Sequence, residues 1–275
     1  MMRTSISTFV YYNYSLEETV KRVVDCGYDG IEIWGGRQHA YRNDLSGEEL
    51  SELRRLIEQS GIETSAFIPA QFRYPTCLCS PNPRIREDSV AYIKDSISTS
   101  LKLGCTRVSL CPGHTLHGQG YDEGMDQLTT SIRELHEFAY PRDVELLIEP
   151  AHRFESDLIL TVEDGIEFIS KLDLEDLGIV MDTGHCFVNS ESLVDCVSLL
   201  EGIPHHIHID DNNGKSDQHK IPGEGELDFL PFLSELKKSK YDGFLTVELG
   251  WDYTLDPDQA AIKSRENIES FIRKI

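Results

Sequence analysis

Four short apolar runs each end on a side chain able to bind a cation: Glu149 in Leu-Leu-Ile-Glu-Pro, Asp182 in Ile-Val-Met-Asp-Thr-Gly-His, His208 in His-Ile-His-Ile-Asp-Asp and Glu248 in Leu-Thr-Val-Glu-Leu. Any single strand-end acid could as well cap the next helix, but four at corresponding places describe a site. Carboxylates about 4 Å apart repel by about 4 kcal/mol per pair at an effective dielectric near 20, and a divalent cation is the natural compensation. Three oxygen donors and one nitrogen suit Mn²⁺ first, then Co²⁺, Mg²⁺ or Zn²⁺, whereas a thiolate-rich set would point to zinc.

The elements that must position these groups alternate along the whole chain. Strands are expected at Ile6–Tyr11, Gly30–Trp34, Thr64–Ile68, Arg107–Cys111, Glu145–Glu149, Gly178–Met181, His206–Ile209 and Phe244–Leu249. Between them, helical periodicity covers Leu16–Cys26, Glu48–Gln59, Glu87–Leu103, Glu123–Ala139, Thr161–Leu172, Ser190–Leu200, Leu227–Lys238 and Asp258–Ile272. Ser46 before Glu49 and Thr161 before Asp164 are capping pairs, and Gly27, Gly61 and Gly104 fall where helices would end. Eight strand–helix units with no dividing linker predict an α/β chain folded as one (β/α)₈ TIM barrel over residues 1–275. In that fold the four candidate ligands close strands five to eight, neighbours around the C-terminal rim. The long irregular stretches Gly35–Asp44, Pro69–Arg84, Gly113–Asp122 and Asp210–Glu226 follow strands and fall on the same rim.

Composition narrows the function. With 26 basic and 48 acidic residues the formal charge is −22, which opposes binding to nucleic acid, where several phosphates must be neutralised. No apolar run is long enough for a membrane span or a leader, so the expected place is the cytoplasm. Seven scattered cysteines fit reduced thiols there, and Cys77-Leu78-Cys79 lacks the second pair of a zinc site.

The pattern resembles the xylose isomerase-like TIM barrels, a group that includes ketose 3-epimerases, inosose dehydratases and endonuclease IV. Within it the sequence is most similar to fructoselysine 3-epimerase and its relatives. The resemblance rests on Gly27-Tyr28-Asp29-Gly30-Ile31-Glu32-Ile33-Trp34-Gly35-Gly36-Arg37, on Glu149-Pro150 with Glu155-Ser156, and on Ser216-Asp217-Gln218-His219-Lys220-Ile221-Pro222-Gly223-Glu224-Gly225-Glu226. It implies a cation held by Glu149, Asp182, His208 and Glu248 that binds two adjacent oxygens of a ketose or fructosamine. Glu149 and Glu248 would then act from opposite faces, one removing the proton next to the carbonyl and the other returning one through an enediolate, which inverts the carbon. It further implies that Glu155 and His185 bind substrate oxygens and that the enzyme is a homo-oligomer.

Other residues follow from their place on the rim. Trp34, Arg37 and His39 could recognise the distal part of a sugar, and Lys220 a hydroxyl or carboxylate. Asp217 and His219 match the Asp-x-His that gives endonuclease IV an extra zinc, but Cys111, His114 and Asn82 do not supply the further histidines. They are expected to order their loop or touch the substrate. Two other readings share the frame: a metal-dependent dehydratase of an inosose or dehydroshikimate-like keto-polyol, which starts with the same proton abstraction, and a barrel that binds without turnover, which the intact Glu149 and Glu248 oppose.

Overall fold

The computed structural model describes residues 2–71 and 76–275; of the Pro69–Arg84 rim stretch, residues 72–75 lie outside it. Among the described residues, β1 (Arg3–Ser7), β2 (Gly30–Gly35), β3 (Glu63–Pro69), β4 (Arg107–Leu110), β5 (Glu145–Ile148), β6 (Leu177–Asp182), β7 (His205–Ile209) and β8 (Phe244–Val247) are all parallel. They close in sequence order into a barrel, with β8 pairing back onto β1 from Arg3↔Phe244 to Ile6↔Val247. The helices are α1 (Leu16–Asp25), α2 (Gly47–Ser60), α3 (Pro83–Lys102), α4 (Tyr121–Ala139), α5 (Val162–Leu172), α6 (Thr183–Val188), α7 (Leu193–Leu199), α8 (Phe229–Lys238) and α9 (Pro257–Ile272). The expected (β/α)₈ barrel is therefore the fold. No helix among the described residues is long and apolar enough to cross a membrane.

Local chemistry sets the boundaries. Both capping boxes form: Ser46 Oγ accepts the Glu49 N–H while the Glu49 carboxylate accepts the Ser46 N–H, and Thr161 and Asp164 do the same. Helix α3 starts four residues before the expected Glu87, because Asn82 accepts the Arg84 N–H and Pro83 suits a first helical turn. The first strand is corrected from Ile6–Tyr11: it ends at Ser7, and Thr8–Tyr11 is a short 3₁₀ turn. Thr8 Oγ1 takes the Trp34 N–H at 2.9 Å and so draws the chain out of the strand. The expected helix at Ser190–Leu200 is α7, three residues shorter at its start, and the separate short α6 precedes it outside the expected range.

Period-two alternation sorts the strand residues into two environments. On β2, Ile31 and Ile33 are fully buried in the apolar core, and on β7 Ile207 and Ile209 are too. The intervening Glu32, His206 and His208 point the other way. Glu32 and His208 are hydrogen-bonded although β2 and β7 are not neighbours, so their contact crosses the barrel interior. Ser5 and Ser65, on β1 and β3, meet in the same way at 2.7 Å. The stabilising apolar burial, about 1.5–3 kcal/mol per large side chain, is thus concentrated between sheet and helices. Some interior polar groups pair with one another, as Glu32 does with His208, while others, such as Asp182 Oδ2, are buried with no hydrogen-bond partner.

Candidate metal and substrate site

Strand register brings the four candidate ligands together. Asp182 and His208 are register partners on β6 and β7, while Glu149 and Glu248 stand one residue beyond β5 and β8. His208 Nδ1 lies 2.9 Å from Glu149 Oε1, 3.0 Å from Glu248 Oε2 and 3.8 Å from Asp182 Oδ2. One donor atom from each of the four falls within 4.8 Å of the others. Asp182 divides its oxygens: Oδ1 caps α6 by accepting the His185 N–H at 2.7 Å, and Oδ2 is buried with no hydrogen-bond partner. An orphaned carboxylate oxygen beside two more carboxylates and an imidazole is a donor set that fits a divalent cation of oxygen-preferring character.

The environment separates these groups electrostatically. Burial opposes charge on His208, but Glu32, Glu248 and Glu149 outweigh it and push its pKa well above the ordinary value. Burial raises Glu149, with His208 only partly offsetting it. Glu248 meets the same burial, yet His208 and His219 hold it below the usual carboxylate range.

A second group of side chains adjoins the first through His185, one turn along α6 from Asp182. Asp217 Oδ2 is 2.6 Å from His219 Nε2, 3.3 Å from His152 Nε2 and 3.7 Å from His185 Nε2, and Glu155 Oε1 is 3.3 Å from His152 Nε2. His185 Nδ1 donates to the Pro150 carbonyl at 3.1 Å, which aims Nε2 at this group. His152 Nδ1 accepts the Phe154 N–H, placing its proton on Nε2 towards the two carboxylates. Burial opposes the charge of His185, but Asp182, Asp217, Glu149 and Glu155 raise its pKa to about 10. Glu155, His185, Asp217 and His219, expected separately from sequence, thus form one cluster.

Two acids after β7 build the loop that carries Asp217 and His219. Asp211 Oδ2 accepts the Gly223 and Gly225 N–H groups at 2.9 and 2.8 Å, and Oδ1 accepts those of Leu227 and Asn212 at 3.1 and 2.9 Å. Each charge-assisted bond is worth roughly 1.5–3 kcal/mol in such a setting, so one carboxylate fixes the loop's path. Gly225 must be glycine, because a Cβ there would lie 2.2 Å from Asp211 Oδ1. Asp210 does similar work, accepting the Gly184 N–H at 2.8 Å and facing His219 Nδ1 at 3.2 Å.

The remaining expected residues do not join this cluster. Arg37 is bound to Asp44 at 2.5 Å and lies over the Tyr41 ring. His39 is 2% exposed, with Nδ1 3.0 Å from Thr8 Oγ1 and its ring edge-on to Trp34. It packs against Trp34 rather than joining the two clusters. Lys220 is half-buried, and its backbone pairs with Asp211. Trp34 itself belongs to an aromatic wall with Phe9, Tyr12 and the exposed Trp251, at ring separations of 4.7–5.7 Å.

A family model described as xylose isomerase-like TIM barrel matches residues 20–274. The chain belongs to that family. It is 26% identical over 270 residues to fructoselysine 3-epimerase of Shigella flexneri, covering 98% of this chain and 97% of the relative. It is 24% identical to D-psicose 3-epimerase of Ruminiclostridium cellulolyticum over 87% of this chain and 82% of that one. A crystal structure of a D-tagatose 3-epimerase-like protein superposes with a TM-score of 0.84 at 25% identity, covering 99% and 97% of the two chains. Full-length relatives named as sugar epimerases, on the same barrel, make this xylose isomerase-like protein an enzyme of the isomerase class.

Sequence reasoning missed Glu32, His152, His206, Asp210 and Asp211 as neighbours of these clusters. Glu32 carried a signal, a lone carboxylate inside the apolar run Gly-Ile-Glu-Ile-Trp, where an unpaired charge would be costly. The Asp-Asp pair closing strand seven was a second signal. His152 had none, because only the folded loop brings it to Asp217.

Proposed function

We propose that this isomerase is a divalent-metal-dependent epimerase that inverts the carbon next to the carbonyl of a ketose or fructosamine, at C3, with Mn²⁺ as the first-ranked metal. The observation that carries this reading is the convergence of Glu149, Asp182 and Glu248 on His208 Nδ1. These four residues would hold the metal, which when bound supplies Lewis-acid stabilisation of the charge developing on the substrate carbonyl oxygen.

The protein's own groups handle the proton. Environments that push two carboxyl groups apart in pKa mark an acid and a base. Glu248, held ionised, removes the proton from one face; the C–H electron pair moves toward the carbonyl. Glu149, whose pKa burial raises, returns a proton to the opposite face, so the carbon inverts with no net change in oxidation state. In the reverse direction the roles exchange. His185, its pKa raised to about 10, donates to a substrate oxygen while Glu155 accepts from a substrate hydroxyl, and Asp217, His219 and His152 hold this arm of the site. The aromatic wall of Trp34 and its neighbours supports packing against the distal part of the substrate, at the end where Lys220 and Arg37 would add polar contacts. A cytoplasmic homo-oligomer is the form we propose for it.

Incubation with a panel of ketoses and fructosamines in D₂O with Mn²⁺, read by ¹H NMR, tests this. The expected result is deuterium at C3 of substrate and C3-epimer with unchanged carbon skeleton. Absence of exchange next to any carbonyl, or a product lighter by one water, would overturn the epimerase reading.

A further inference from the structure

We infer that Glu32 is a positioning residue that fixes which nitrogen of His208 faces the cation site and thereby sets the affinity of that site. The inference rests on the reading of Glu149, Asp182, His208 and Glu248 as cation ligands. Glu32 is fully buried on β2, across the barrel interior from β7. Its Oε2 lies 2.9 Å from His208 Nε2 and 3.2 Å from His206 Nε2. An ionised carboxylate can only accept, so Glu32 takes the Nε2–H of His208, and a cation on the opposite side of the ring would replace the proton at Nδ1. That side is where Glu149, Glu248 and Asp182 converge. Turning the ring over would put carbon atoms where both nitrogens now stand and break the contacts on both sides. Glu32 therefore selects the tautomer and locks the ring plane in one step.

Packing alone does not account for this residue. Burying a carboxylate costs several kcal/mol unless it is well paired, and the apolar Ile31 and Ile33 on either side show what the strand uses where only packing is needed. Glu32 Oε1 is buried with no hydrogen-bond partner, so the group is held mainly through the oxygen it shares between the two histidines. The ring of His206 is edge-on to that of His208 at 5.3 Å, so Glu32 has a second partner that does not belong to the cation quartet. This second partner separates positioning from packing: removing His206 perturbs the same interior but leaves the bond from Glu32 to His208.

The test is Mn²⁺ affinity of the full-length protein, read from the free-ion EPR signal, for wild type, E32Q, E32D and H206Q, with circular dichroism to confirm folding. Loss of a carboxylate behind a ligating histidine typically weakens metal binding by about 10- to 100-fold. We expect a loss of that size in E32Q and a smaller one in E32D, which keeps the charge but withdraws it by one methylene. H206Q should stay within about threefold of wild type. Pulsed EPR of the bound ion should show the His208 nitrogen coupling in wild type and its weakening in E32Q. The inference is overturned if folded E32Q or E32D binds Mn²⁺ as wild type does, or if H206Q loses as much as the Glu32 variants. A wild-type protein that binds no Mn²⁺ would instead sink the underlying reading of the quartet.

Discussion

Glu149→Gln and Glu248→Gln should each cut epimerisation by at least about a thousandfold, equivalent to about 4 kcal/mol of lost transition-state stabilisation. Glutamine keeps the shape and one carbonyl oxygen at positions that meet His208 at 2.9 and 3.0 Å, so both variants should retain metal, though more weakly. Their difference is the informative part. In the proposed two-base arrangement, a variant that lacks one carboxylate can still remove and return a proton on the other face. Glu149→Gln should then exchange the C3 proton of one epimer with D₂O, and Glu248→Gln that of the other, while neither interconverts them. Metal content measured alongside separates loss of the base from loss of the ion. If both variants exchange the same epimer, or if either keeps full epimerase activity, a single base or another group such as Glu155 carries the proton.

Removing the metal with a chelator should reduce turnover to background and leave the barrel folded. The apolar core between sheet and helices, including Ile31, Ile33, Ile207 and Ile209, is complete without an ion. The ion adds binding free energy only. At a concentration one hundred times its Kd this is about 2.7 kcal/mol, which for a chain of this size corresponds to a fall of roughly 5–10 °C in Tm. Far-UV circular dichroism at 25 °C should not change, and activity should return on adding Mn²⁺. Global unfolding on chelation would show the ion to be structural.

The barrel was legible because its strands and helices differ in hydrophobic period and alternate eight times. The convergence of Glu149, Asp182, His208 and Glu248 was legible because closing a parallel barrel in sequence order makes the ends of strands five to eight neighbours. What escaped depends on three-dimensional closure. Glu32 and His208 are 176 residues apart and meet only across the finished interior. Helix α6 escaped because Thr183–Val188 is too short to show a period, and its start is set by the cap from Asp182. The end of β1 depends on a bond from Trp34 to Thr8, which no local pattern announces. His39 reads as a rim residue by position, but that same Thr8 hydroxyl and the edge of Trp34 enclose it.

The central claim is that Glu149, Asp182, His208 and Glu248 hold the catalytic ion, and anomalous diffraction at the manganese edge from Mn²⁺-soaked crystals tests it most directly. The account predicts a peak enclosed by those four side chains, bonded to Nδ1 of His208. A peak absent from that place, or found only among His185, Asp217 and His219, would contradict it.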